Sequence, residues 1–240
     1  MPLYAYDLHI HTCLSPCGDA LMTPPNIANM ANIKGLDIIA ITDHNSARNV
    51  RAVMSAAKGL PLKVIPGIEV TTAEEIHVVC LFPDADSAEN AGGELEKHLP
   101  SVQNRPEYFG EQVVMDENEE IAGTFPLLLP NALDISIDSL PKLVGSFGGF
   151  CYPAHIDRAS DSIIAVFGEV PETPKFVSLE VHDLESFFGN ADNVRYKDGY
   201  IIVTSSDAHR LQDISERENF VELPELSFNC LRRALCSDTQ

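Results

Sequence analysis

Short apolar runs alternate with helical patterns along this chain. Residues 4–9, 37–42, 62–69 and 76–82 each carry the dense apolar character of a buried strand, and Asp-Ile-Ile-Ala-Ile-Thr at 37–42 is the clearest of them. The pattern predicts helices over 24–34, 46–58, 87–99, 136–146, 160–167 and 227–235. The first has Thr23 as N-cap, Pro24 at its first position and Gly35 as its stop, and Gly59 ends the second. Further strands are predicted over 149–154, 176–181 and 200–205, with a last one near Phe220. Strand followed by helix, repeated along the chain, predicts an α/β fold with a parallel sheet closed or nearly closed as a barrel. An open doubly wound sheet is the alternative. Residues 100–130 break the rhythm: 113–123 reads as a hairpin turning at Asp116-Glu117-Asn118. Such an insertion forms a lid or substrate wall, or a surface excursion without a role. With no repeat and no linker, residues 1–240 are expected to form one domain.

Charge changes the picture more than composition does. There are 36 acidic against 16 basic side chains, a net charge of −20. Such a surface repels phosphate backbones and anionic membranes over roughly 8 Å at physiological salt. Long nucleic acid is therefore not an expected partner, and no apolar run approaches the ~18 residues of a membrane span. The six cysteines, Cys13, Cys17, Cys80, Cys151, Cys230 and Cys236, form no closely spaced pair of the Cys-x-x-Cys kind. The N-terminus reads as a strand rather than a signal peptide, so reduced thiols and a cytoplasmic location are expected.

The histidines fall in a pattern. Six of the eight lie at strand termini. His9 and His11 close the first strand, and His44 follows the second within Thr-Asp-His-Asn. His77 begins the fourth, His155 ends a later strand, and His209 lies with Asp207 after the last major one. Glu69 ends the third strand. In a parallel barrel all strand C-termini meet on one face, which hosts the active site. His9 and His11, two residues apart, point the same way in an extended segment, and Asp207 and His209 repeat that spacing. So many imidazoles and carboxylates are too costly for core packing, but divalent cations would neutralise them. Imidazole and carboxylate donors suit zinc, manganese or iron.

These residues carry a resemblance. From His9 to His209 the chain resembles the PHP (polymerase and histidinol phosphatase) superfamily, with its four motifs in order and closest in character to its small stand-alone bacterial members. The resemblance implies a distorted (β/α)7 TIM-like barrel with two or three divalent metal ions. It implies one metal on His9, His11, Glu69 and Asp207, and a second, bridged by Glu69, on His77 and His155. A third would take His44, His209 and an acid after the first motif. Here His-Thr-Cys-Leu-Ser-Pro-Cys-Gly-Asp departs from the usual spacing, and counting back from Thr23-Pro24 makes Asp19 that acid, with Cys17 or Asp43 as alternatives. Asp43 also fits a residue that orients a ligand. His98 and His182 match no motif.

The implied activity is hydrolysis of phosphate esters by hydroxide generated on the metals, with Glu69, Asp207 and His209 as catalytic residues. Arg158 is the expected phosphate contact, Arg210 a second candidate and Arg48 a third. The expected substrate is a small phosphorylated metabolite or nucleotide. A phosphodiesterase or exonuclease on short oligonucleotides, amide hydrolysis on the same barrel, and a non-catalytic metal-binding regulatory domain are the competing readings. Oligomeric state is left open.

Overall fold

The structure is a computed structural model and describes residues 1–236. Strand β1 (Leu3–Ile10) pairs in parallel with β2 (Ile38–Ile41), and β2 with β3 (Lys63–Thr71). Helices α1 (Pro24–Ile33) and α2 (Val50–Ala56) make the two crossovers. Strand β4 (His77–Leu81) then folds straight back on β3 as an antiparallel hairpin. Helix α3 (Ala85–Leu95) follows, and a short helix α4 (Pro106–Phe109) opens the 100–130 segment. That segment holds the expected hairpin, β5 (Val113–Met115) against β6 (Ile121–Thr124). After α5 (Leu140–Ser146), β7 (Phe150–Pro153) pairs antiparallel with β4 and so restores the direction of β3.

The second half closes the curve. Helix α6 (Ile163–Phe167) leads to β8 (Ser178–Glu180), and helices α7 (Leu184–Gly189) and α8 (Arg195–Gly199) lead to β9 (Ile201–Val203), parallel to β8. No full ladder joins β7 to β8 or β9 to β1. Rim hydrogen bonds do so instead: Ile156 N–H donates to Glu180 O at 2.8 Å, and Ala208 N–H to His9 O at 3.2 Å. Strand β10 (Phe220–Glu222) pairs antiparallel with the start of β1. The result is a distorted TIM-like barrel rather than an open doubly wound sheet.

Tyr6, Leu8, Ile38, Ile65, Val79 and Tyr152 fill the interior, and Phe228 and Leu231 of α9 (Phe228–Cys236) pack against them. A second apolar layer, including Ile10, Ile39, Ile68 and Cys80, lies against the surrounding helices. Gly67 is required where β3 is tightest. A Cβ there would lie 2.8 Å from Thr42 Cγ2 and 2.9 Å from both Ile41 O and Leu81 Cδ2.

Several helices are shorter than the sequence pattern predicts, and α7 and α8 were not predicted. Residues 46–49 belong to a loop, because Asn49 spends its side chain on Thr12 Oγ1 and Val113 O rather than on a helix start. Thr23 occupies the N-cap position of α1 but does not cap it; its hydroxyl donates to Glu119 Oε1 at 2.5 Å. No helix among the described residues is long and apolar enough to cross a membrane.

Candidate metal centre

Five of the six strand-end histidines converge on one carboxylate, and the sixth, His209, stacks beside them. Glu69 is 1% exposed. Its Oε1 lies 3.2 Å from His9 Nε2, 3.0 Å from His77 Nδ1 and 3.1 Å from His155 Nε2. Its Oε2 lies 3.3 Å from His11 Nε2 and 3.0 Å from His44 Nδ1. Asp207 Oδ1 faces His9 and His11 Nε2 at 3.3 and 3.1 Å. The His209 ring stacks on His11 with centroids 4.2 Å apart.

Each arrival has a local cause. Leu8 points into the barrel and Ile10 outward, so simple alternation would leave His9 outside. A register shift between Asp7 and Ile10 changes the phase, and such bulges re-aim side chains. His77 reaches the same face from the opposite end of its strand, because β4 runs antiparallel and its first residue pairs with Thr71. His155 and Asp207 both have positive φ, 27° and 51°. His155 lies two residues after β7 and Asp207 four residues after β9, each in a turn where an L-residue is strained.

Hydrogen bonds fix which ring nitrogen faces the centre. His11 Nδ1 is 2.9 Å from Ser15 Oγ, and Ser15 Oγ donates to Asp43 Oδ1 at 2.7 Å. The serine therefore accepts from Nδ1–H, leaving the Nε2 lone pair inward. His209 Nδ1 donates to Asp207 O at 2.8 Å with the same result. Asp43 thus orients a histidine through Ser15.

Electrostatics point to cations. Burial would raise the Glu69 carboxyl, but His77, His9, His44 and His11 hold it well below the usual carboxylate range. Burial works against charge on His11, yet the close Asp207 and Glu69 carboxylates push it up to about 9. Burial carries His44 down to about 4 and His209 to about 3, each helped by neighbouring imidazoles. Protons thus serve some rings and not others. His44 Nδ1, Glu69 Oε2, His155 Nδ1 and Asp207 Oδ1 are buried and, although the first, second and fourth lie close to oppositely charged or imidazole groups, none makes a well-aligned hydrogen bond. Such atoms cost about 1–3 kcal/mol each unless something else meets them. Three sets of donors lie within 4.8 Å of one another: His9, His11, Glu69 and Asp207; His11, His44 and His209; and His44, Glu69 and His77. Spacings near 3.3 Å suit donors sharing an ion through bonds of about 2.0–2.2 Å. The nitrogen and oxygen donor set fits several divalent cations.

Other expected residues stand differently. Asp19 is exposed; its carboxylate accepts from Leu21 N–H at 2.8 Å and belongs to none of the three donor sets. The counting that selected it found a turn, and only its backbone N–H touches the site, at His209 O. Arg158 stands at the rim with Nη1 2.6 Å from Asp207 Oδ2. It lines a cleft of about 630 Å³ with His182, Ser206, Asp207, His209 and Ser215. Arg210 is exposed and does not line that cleft. Arg48 pairs with Glu96 at 2.7 Å. His98 pairs with Asp134 at 2.5 Å. The 100–130 segment packs on the loop after β1, where Val113 N–H donates to Cys13 O at 2.9 Å.

Two buried carboxylates were missed. Glu180 ends β8 beside His9, and Asp7 accepts from Ser206 Oγ at 2.6 Å and from Ser215 N–H at 2.9 Å. Glu180 sits at a strand C-terminus, so the rule that found the histidines could have found it. His182, two residues after Glu180, is exposed.

Fold and site together define a TIM-like barrel whose rim carries an imidazole–carboxylate centre suited to several divalent metals. The sequence pattern of the PHP domain matches residues 7–174, and the chain belongs to that family. It is 38% identical over 84 residues to the 5'-3' exoribonuclease Rnm of Salmonella typhimurium, covering 33% of this chain and 28% of that protein. The match thus spans less than a third of that relative's length. Two solved structures share the fold. One is the lesion-specific endonuclease Q of Pyrococcus furiosus, with TM-score 0.64, 17% identity, 98% of this chain and 56% of that one. The other is a Bifidobacterium adolescentis protein described as a metal-dependent phosphoesterase, with TM-score 0.58, 16% identity, 98% of this chain and 96% of that one. Two of these three are nucleases by name, which runs against the expectation, drawn from charge, that long nucleic acid is not a partner.

Proposed function

We propose that this chain is a metal-dependent phosphoric ester hydrolase acting on a phosphomonoester of a small metabolite or nucleotide. The observation that carries the reading is the Glu69 carboxylate, buried among five imidazole nitrogens at 3.0–3.3 Å, with orphaned donor atoms around it. His9, His11, Glu69 and Asp207 would hold one ion, and His77 and His155 a second that shares Glu69. His44 and His209 would serve a third, whose acid is not Asp19 in the arrangement described. Bound there, zinc, manganese or iron ions supply Lewis-acid polarisation of a phosphoryl oxygen and acidify water towards neutral pH.

The protein's own groups do the rest. Glu69 and Asp207 set the anionic charge of the centre, and the Ser15 and Asp207 carbonyl contacts keep His11 and His209 in one tautomer. Arg158, 43% exposed and paired through Nη1 with Asp207, is the proposed phosphate contact, since a guanidinium carries further donors that suit phosphate oxygens. The limited cleft and the net charge of −20 favour small anions over a long polyanion. The free cysteines agree with a reducing, cytoplasmic setting.

A second reading is hydrolysis of phosphodiesters at the end of short oligonucleotides. The resemblance to an exoribonuclease favours it. A hydrolysis screen separates the two: metal-reconstituted protein is assayed against nucleotides, sugar phosphates, a simple diester and short oligonucleotides. Monoester turnover well above diester turnover is the expected result. Release of mononucleotides from oligonucleotides without monoester turnover would favour the second reading, and no turnover at all with metals fully loaded would end both.

A further inference from the structure

Glu180 touches the candidate centre from behind. It is 1% exposed at the end of β8. Its Oε1 accepts from His9 Nδ1–H at 2.9 Å and from the His155 backbone N–H at 3.1 Å, and its Oε2 lies 3.2 Å from the same His9 nitrogen. Its main-chain carbonyl accepts from Ile156 N–H at 2.8 Å. Side chain and backbone together therefore grip the turn at His155, whose φ of 27° an L-residue adopts reluctantly. The other nitrogen of His9 faces His11 Nε2 at 3.3 Å, Glu69 and Asp207.

We infer that Glu180 is a positioning residue for the metal centre. It holds His9 as the Nδ1–H tautomer, so that its Nε2 lone pair points inward, and locks the His155 turn that brings the second imidazole to Glu69. The inference rests on the metal reading of the cluster but not on any substrate. A carboxylate that accepts from a ligating imidazole sets its orientation and raises its basicity, and losing such a partner typically costs 10–100-fold in metal affinity. The alternative is a buried carboxylate that only ties β8 to β1 and β7.

The two roles separate experimentally. Glu180→Gln keeps an acceptor oxygen and nearly the same volume but removes the charge; Glu180→Ala removes the acceptor as well. Zinc affinity is measured by competition with a chelating dye, and the His9 tautomer by nitrogen-15 NMR of the zinc-loaded protein. The expected result is a 10–100-fold loss of affinity in Glu180→Ala and a smaller loss in Glu180→Gln. His9 should read as the Nδ1–H form in the parent and lose that uniformity in Glu180→Ala. Circular dichroism of Glu180→Gln, the variant least disturbed in shape, reports whether the fold is kept. Parent-like affinity and tautomer in a folded Glu180→Gln and in Glu180→Ala would overturn the inference. If Glu180→Ala does not fold, parent-like affinity in a folded Glu180→Gln overturns it alone. Because neither readout involves turnover, failure to hydrolyse any phosphate ester would leave this result standing by itself.

Discussion

Glu69 is where the arrangement is most sensitive to a single atom. Its two oxygens face different imidazoles: Oε1 faces His9, His77 and His155, and Oε2 faces His11 and His44. Glu69→Gln replaces one oxygen by an NH₂ group, which is a donor aimed at ring nitrogens. The expected outcome is loss of at least one ion per chain and a fall in hydrolysis of about 100-fold, in the upper part of the range for a lost metal-site partner. Elemental analysis and a phosphatase assay check it; full metal content together with parent activity would show that Glu69 does not bridge. At this scale the sequence was informative where spacing alone sufficed. His9 and His11, two apart, do point together, and Asp207 lies between them. It was silent on Ser15, because a serine in a loop looks the same whether it faces water or an imidazole, whereas Glu180 ends a strand as the histidines do and was legible by the same rule. Asp19 shows the converse: a residue chosen by counting from a motif lands in a turn, where Leu21 N–H takes its carboxylate.

Among the elements, β3 and β4 matter most. The alternation of strands and helices made the barrel legible, yet nothing in an apolar run states its direction, and β4 is antiparallel. The five residues 72–76 between the strands were the available signal, since a parallel return needs a crossover of a dozen or more. This reversal is why His77, the first residue of its strand, meets residues from the ends of the others. The bulge in β1 was equally hidden, because a phase change costs no visible break in the pattern. Helix lengths were overestimated where polar side chains such as Asn49 bind loops instead of capping. The hairpin also gives the fold a weak point to alteration. Gly67→Ala would place a Cβ within 3 Å of Ile41 O, a backbone atom that cannot move aside. A loss of about 1–3 kcal/mol follows from overpacking of this kind. A urea titration should show the midpoint fall with the slope preserved; an unchanged midpoint would mean that β3 can shift away from β2.

For the whole molecule, the question is why a chain of net charge −20 would bury several of its carboxylates together at the rim. Asp7, Asp43, Glu69, Glu180 and Asp207 are all buried near six histidines. If divalent ions bind only the folded chain, they stabilise it by about 2.7 kcal/mol at a hundred times the dissociation constant. At roughly 2–4 °C per kcal/mol for a chain of this size, chelation should lower the melting temperature by about 5–10 °C for each such site. General charge repulsion offers a rival account, since any cation near an acidic protein relieves it. Salt distinguishes them. Surface repulsion is largely screened at about 1 M ionic strength, where the Debye length is about 3 Å, whereas buried coordination is screened far less. The expected outcome of differential scanning fluorimetry with and without chelator is therefore a difference in melting temperature that persists in molar sodium chloride. Restoring stoichiometric zinc or manganese at that salt should reverse it. If sodium chloride alone recovers the lost stability, the acidic surface rather than the Glu69 centre is what the ions relieve, and the coordination reading fails at the scale of the molecule.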